Sequence, residues 1–132
     1  MVNTAPLRIL IVDDHQLFTE GLRALLDEDP RFEVAGTAKT GREAVQTARS
    51  EPVDVVLMDM SMPVLDGPAA TRRLLALDPA PHVIAVSGHT DELSRTAALE
   101  AGAAAFLSKR ETHDKLAETI VEVCRGRLTG AA

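Results

Sequence analysis

Five times along this chain a short apolar run gives way to a segment with helical spacing, and that alternation leaves few folds open. The runs are LRILIVD (7–13), FEVAGTA (32–38), DVVLMD (54–59), HVIAVSG (82–88) and AAAFLSK (103–109). FEVAGTA alternates. LRILIVD and DVVLMD are nearly continuous in apolar residues, as strands are when helices cover both faces of their sheet. In QLFTEGLRALLDED (16–29), Leu17, Phe18, Gly21, Leu22, Leu25 and Leu26 form one helical stripe that Pro30 ends. GREAVQTARS (41–50) reads as a short helix before Pro52, and Pro68 suits the first turn of another, running to about Leu77 before Asp78-Pro79. TDELSRTAALEAG (90–102) has Thr90 or Asp91 as N-cap and Gly102 as its stop, and THDKLAETIVEVCRG (112–126) turns Leu116, Ile120, Val123 and Cys124 inward. Right-handed crossovers make five such units an α/β fold, a five-stranded parallel sheet with helices on both faces. The alternation does not fix the strand order. One domain is expected over 5–126, with 127–132 as a linker stub or disordered tail.

Composition narrows the function. With no Trp or Tyr and three Phe, the core has to be built from aliphatic residues and Met. A net charge of −6 argues against a grip on nucleic acid, which needs basic surface. Cys124 is the single cysteine, so neither an internal disulfide nor a CxxC zinc site is available. Acids interrupt the apolar N-terminal segment far too early for a membrane span, and no leader pattern precedes it. The expected location is cytoplasmic.

In open parallel sheets ligands bind beyond the carboxyl ends of the strands. The first strand ends on Asp13-Asp14, the third on Asp59, the fourth on Ser87-Gly88 and the fifth on Ser108-Lys109. If the first and third strands are neighbours, three carboxylates converge, and they repel unless a cation sits among them. Oxygen-only donors suit a hard ion such as Mg²⁺. A hydroxyl and a lysine on the remaining strands would suit a phosphoryl group. Any one of these residues has an ordinary reading: a turn former, a helix cap, a solvated lysine. The set at four strand ends of one chain carries the weight.

ILIVDDH (9–15), VVLMDMSMPVLDG (55–67), VIAVSG (83–88) and AFLSK (105–109) together resemble the receiver domain of bacterial two-component response regulators, nearly end to end and in order. The opening VDDHQLFTEGL is similar to the LuxR/NarL-type subfamily, whose members usually carry a C-terminal helix-turn-helix. The resemblance implies a flavodoxin-like strand order 2-1-3-4-5; the chemotaxis receiver is itself the standard example of that order. It implies Asp59 as phosphoacceptor, a Mg²⁺ held by Asp13, Asp14, Asp59 and the Ser61 backbone carbonyl, and Lys109 and Ser87 on phosphoryl oxygens. Met60 and Met62 then pack, since thioethers suit soft metals. Ser87 and Phe106 would form the switch, with phosphorylation disturbing residues 88–112 more than 30–50. The implied partners are a sensor histidine kinase and, on phosphorylation, a second copy. The implied output is transcription, through a DNA-binding domain that these 132 residues do not include, consistent with a stand-alone receiver or a piece of a longer regulator. Self-phosphorylation and slow dephosphorylation are the only chemistry expected, so the chain is not read as an enzyme.

Three features depart from the family pattern. Arg110 follows the lysine where many receivers have a cis proline; a cis bond before a non-proline residue costs about 3 kcal/mol, so a trans bond is expected. Gly88 stands where Ala is commoner, and the output domain is missing. His15 and His89 border the site, His15 as part of the loop opening the first helix and His89 as a candidate modulator of water access. A flavin protein is disfavoured by the acidic DDHQ where a phosphate loop should be. A haloacid-dehalogenase-type phosphatase is disfavoured by Ser61 where a second Asp should be. A docking-only pseudo-receiver is disfavoured by the intact acid, hydroxyl and lysine set.

Overall fold

A computed structural model describes residues 5–60, 67–88 and 92–130, the last five by backbone alone. Ten elements alternate: β1 (Leu7–Val12), α1 (Gln16–Asp27), β2 (Phe32–Ala38), α2 (Gly41–Ser50), β3 (Val55–Asp59), α3 (Gly67–Leu75), β4 (His82–Ser87), α4 (Glu92–Ala101), β5 (Ala105–Ser108) and α5 (Thr112–Gly130). All four strand pairings are parallel and the order is β2-β1-β3-β4-β5, so β1 and β3 are neighbours.

Side chains of a strand point alternately to its two faces, and here the alternation sorts the core into two layers. Leu10, Val12, Val56, Met58, Val83 and Ala85 face α2, α3 and α4, where Ala44, Val45, Ala70, Leu74 and Ala98 meet them. Ile9, Ile11, Val55, Leu57, Ile84 and Val86 face α1 and α5, meeting Leu22, Leu26, Leu116, Ile120 and Cys124. The strand runs are continuous in apolar residues because each strand must satisfy both layers. Each fully buried Leu or Ile contributes about 1.5–3 kcal/mol, so no single contact dominates.

Helix ends show where local chemistry prevails. Thr40 caps α2, its hydroxyl accepting from the Glu43 N–H at 3.1 Å, while the Glu43 carboxylate accepts from the Lys39 N–H at 2.7 Å. Gly102 stops α4 as expected: its N–H donates to Leu99 O at 3.0 Å and Ala103 N–H to Ala98 O at 3.1 Å. Its φ of +110° suits glycine, and a Cβ there would run into the Leu75 side chain. Thr90 and Asp91, the expected N-caps of α4, lie outside the described residues.

Three details differ from the sequence reading. Leu17 is 85% exposed and Gly21 is also exposed, so the buried stripe of α1 is Phe18, Leu22, Leu25 and Leu26. Leu17 and Gly21 flank that stripe instead, on the rim of a shallow depression that Phe18, Leu22, Thr112 and His113 also line. α3 ends at Leu75, where the chain begins to bend toward Asp78. α5 continues through Gly126 to Gly130; a helical glycine costs only about 1 kcal/mol, too little to end a helix.

Ahead of α5, the Ser108 N–H donates to Glu111 Oε1 at 3.0 Å, and the Glu111 N–H donates to the Ser108 hydroxyl at 3.2 Å. This reciprocal pair was legible as Ser-x-x-Glu, although the sequence reading did not use it. Lys115 approaches the other Glu111 oxygen at 3.0 Å. The Ser108 N–H, foremost, then the Lys115 ammonium and the Ser108 hydroxyl hold the Glu111 carboxyl down to about 2 from 4.5. A depressed carboxyl stabilises above its unfolded value and loses that as pH falls through the folded one. The Ser108 and Glu111 amide resonances are therefore expected to hold steady down to about pH 4.5 and to move together toward about 2. An NMR titration with a midpoint near 4.5 would contradict this.

Candidate functional site

β1 and β3 run side by side with Val12 opposite Met58, so the acids that follow them emerge at the same edge. Asp13 is 4% exposed and Asp59 1% exposed. The backbone extends the ladders past the formal strand ends: Asp13 N–H donates to Ala38 O at 3.0 Å, Met60 N–H to Val86 O at 3.0 Å and Lys109 N–H to Ser87 O at 2.9 Å. These bonds fix where the side chains of Asp13, Asp59 and Lys109 begin.

Lys109 Nζ lies 2.8 Å from Asp13 Oδ2 and 3.8 Å from Asp59 Oδ2, so one ammonium serves two buried carboxylates. Ser87 is buried at the end of β4, beside Ser108 in register. The four expected residues Asp13, Asp59, Ser87 and Lys109 thus sit at the ends of adjacent strands. Asp14 is exposed and reaches the same edge through His15, whose Nδ1 is 3.3 Å from Asp14 Oδ1.

His15 is closer to the centre than a loop residue would be. Its N–H donates to Asp13 Oδ1 at 2.8 Å, its Nδ1 lies 3.0 Å from the same oxygen, and Lys109 Nζ is 3.3 Å from Nδ1. It is also the N-cap residue of α1, so its extended backbone turns the ring back over the strand end. Ligand atoms of Asp13, Asp14, His15 and Asp59 all lie within 4.8 Å of one another. Three carboxylates against one ammonium leave an excess of negative charge that a small divalent cation would balance, and their hard oxygens suit Mg²⁺.

Gly67 stands close against the end of β3. A Cβ on it would stand 2.7 Å from Met60 Cα and 2.8 Å from the Asp59 carbonyl oxygen, both backbone atoms. Met60 is half-buried and packs against the α2–α3–α4 core, as expected of a packing residue. Phe106, paired with Ala85, packs partly buried on that same layer. Beside Lys109, a cavity of about 400 Å³ is lined by Gly88, Ser108, Lys109 and Arg110. Among the described residues nothing crowds the Cβ position of Gly88, so their packing would accept an alanine there. Among the described residues the one cis bond is Asp78–Pro79, so Lys109–Arg110 is trans, as expected. Ser61, Met62 and His89 lie outside the described residues.

Comparison with known proteins gives a consistent result. A family model described as the response regulator receiver domain matches residues 9–121. The transcriptional regulatory protein DegU of Brevibacillus brevis is 39% identical over 125 residues, covering 95% of this chain and 53% of that protein. The response regulator UvrY of Escherichia coli K12 is 36% identical over 121 residues, covering 92% and 56%. The chain therefore spans about half the length of the curated relatives it matches. Among solved structures, the signal receiver domain of the putative response regulator NarL from Mycobacterium tuberculosis aligns with a TM-score of 0.86 at 29% identity, covering 92% of this chain and 98% of that one. The expected strand order is borne out.

Proposed function

This chain belongs to the receiver domain family of two-component response regulators, and from that premise we propose that Asp59 is the residue it phosphorylates. The observation that carries the reading is a buried Asp59 at a strand end, next to Asp13 and within 3.8 Å of the Lys109 ammonium. A carboxylate oxygen of Asp59 attacks the phosphorus in line. A new P–O bond forms as the bond to the donor breaks, and the donor leaves with the electron pair. The donor is the phosphohistidine of a sensor kinase, or a small acyl phosphate such as acetyl phosphate.

Asp13, Asp14 and Asp59 would hold Mg²⁺, with the Ser61 carbonyl as a further donor. When bound, the ion neutralises charge on the transferring oxygens. Lys109 supplies a second positive charge and orients one phosphoryl oxygen. Ser87 donates its hydroxyl to another, and in doing so draws the end of β4 toward Asp59. Phe106 on β5 is the packing element that responds, so the change spreads over α4, β5 and α5. Its ring carries no hydroxyl, and the response is a repacking without a new hydrogen bond.

The wider reading follows the same line. The chain serves as a phosphoacceptor rather than a turnover enzyme, pairs with a second copy when phosphorylated, and controls transcription through a separate DNA-binding domain. Its own surface, at a net charge of −6, does not grip nucleic acid. Among the described residues no helix is long and apolar enough to cross a membrane, in keeping with action in the cytoplasm.

Intact-mass measurement after incubation with acetyl phosphate tests the chemistry. The wild type is expected to gain one phosphoryl mass only when Mg²⁺ is present, and Asp59→Asn to gain none. A gain that persists in Asp59→Asn would place the acceptor elsewhere.

A further inference from the structure

Lys109 has a contact that neither the acids nor the proposed chemistry explains. Its Nζ stands 4.5 Å from the centre of the Phe18 ring. Phe18 belongs to the first turn of α1, is half-buried, and packs on the α1–α5 core with Leu22 and Leu25. A ring face attracts an ammonium without offering an oxygen to it. We infer that Phe18 is a positioning residue for phosphoryl transfer, holding the Lys109 ammonium over the site by its ring face; this rests on the reading of Asp59 as acceptor.

The need for such a hold follows from the geometry around Asp13. In the structure Lys109 is drawn mainly to Asp13 Oδ2, at 2.8 Å, and only loosely to Asp59, at 3.8 Å. Asp13 is also one of the acids that would bind the divalent cation, and a cation there weakens its pull on a neighbouring ammonium. Lys109 then needs a partner that does not compete for the ion. Phe18 meets that need, because an uncharged ring neither binds Mg²⁺ nor changes charge when Asp59 is modified. The ring takes up at most one of the three ammonium hydrogens, and the others, which here face Asp13 Oδ2 and His15 Nδ1, can turn to a phosphoryl oxygen. α1 is anchored at its start by the His15 N–H on Asp13, so the ring and the acid that bracket Lys109 are set by one short segment.

The test has a structural and a kinetic arm. In the wild type the Lys109 ε-methylene protons should show an upfield ring-current shift, lost in Phe18→Leu and kept in Phe18→Tyr. With acetyl phosphate and saturating Mg²⁺, Phe18→Leu should be phosphorylated about 3- to 30-fold more slowly, and Phe18→Tyr at nearly the wild-type rate. In a Lys109→Met background the Phe18→Leu change should have little further effect, since the interaction it removes is already gone. A merely structural Phe18 would give the same factor in both backgrounds, and that result overturns the inference. So do a Phe18→Leu rate equal to the wild type, failure of Phe18→Tyr to restore it, or absence of the ring-current shift. A wild type that takes no phosphoryl group overturns the reading of Asp59 instead, and the ring-current arm still decides whether Phe18 holds Lys109.

Discussion

Lys109→Met is expected to lose about 2–3 kcal/mol of folding stability in the presence of a chelator and to recover much of it with saturating Mg²⁺. Removing one partner of a buried charge pair typically costs about 3–5 kcal/mol, because the other charge stays buried without compensation. Here two carboxylates, Asp13 and Asp59, would be left at 4% and 1% exposure. The lysine side chain is itself 20% exposed, so solvent screens part of the interaction and the loss falls below that range. Methionine keeps most of the stem, which separates the loss of charge from a loss of packing. Urea unfolding with and without Mg²⁺ is the measurement. A loss that Mg²⁺ does not reduce would mean that the three acids do not share the ion.

Gly67→Ala is the second large effect. The added methyl would meet Met60 Cα at 2.7 Å and the Asp59 carbonyl oxygen at 2.8 Å, and backbone cannot turn aside as a side chain can. Overpacking of this kind costs about 1–3 kcal/mol. Because the displaced atoms belong to Asp59 and its successor, the cost should appear at the site as well as in the fold. Expected are a destabilisation of about 2–3 kcal/mol by denaturant unfolding and a weaker Mg²⁺ titration. A variant that is destabilised yet binds Mg²⁺ normally would show that the start of α3 relaxes away from Asp59.

Much of this was readable from residue order because the rules involved are local. A strand covered on both faces must be apolar throughout, and VVLMD is apolar until it reaches Asp59. Ligands gather at strand carboxyl ends, so Asp13, Asp59, Ser87 and Lys109 could be nominated before any coordinates. Strand order was not local; it came from the family resemblance. The misjudged Leu17 shows the limit of helical periodicity: a leucine one step off the stripe has the right residue type and the wrong angle. The central placement of His15 depends on how the α1 cap turns its ring back onto Asp13, and sequence carries no mark of that. The contact of Phe18 with Lys109 joins the first helix to the last strand end, and only the assembled sheet reveals it.

The two-layer core has a consequence for how such a molecule can change over time. The side chains that pack against α2, α3 and α4 are different from those that pack against α1 and α5, with the five strands as a shared spine. A void opened at Leu74 on one side cannot be filled by Ile120 on the other, so costs incurred on the two sides simply add. Drift is correspondingly partitioned. The surface of α4 can change residue by residue while the seating of α1 and α5 stays as it was. A chain built this way carries two separately packed interiors on one backbone, so wear on one leaves the other's packing intact.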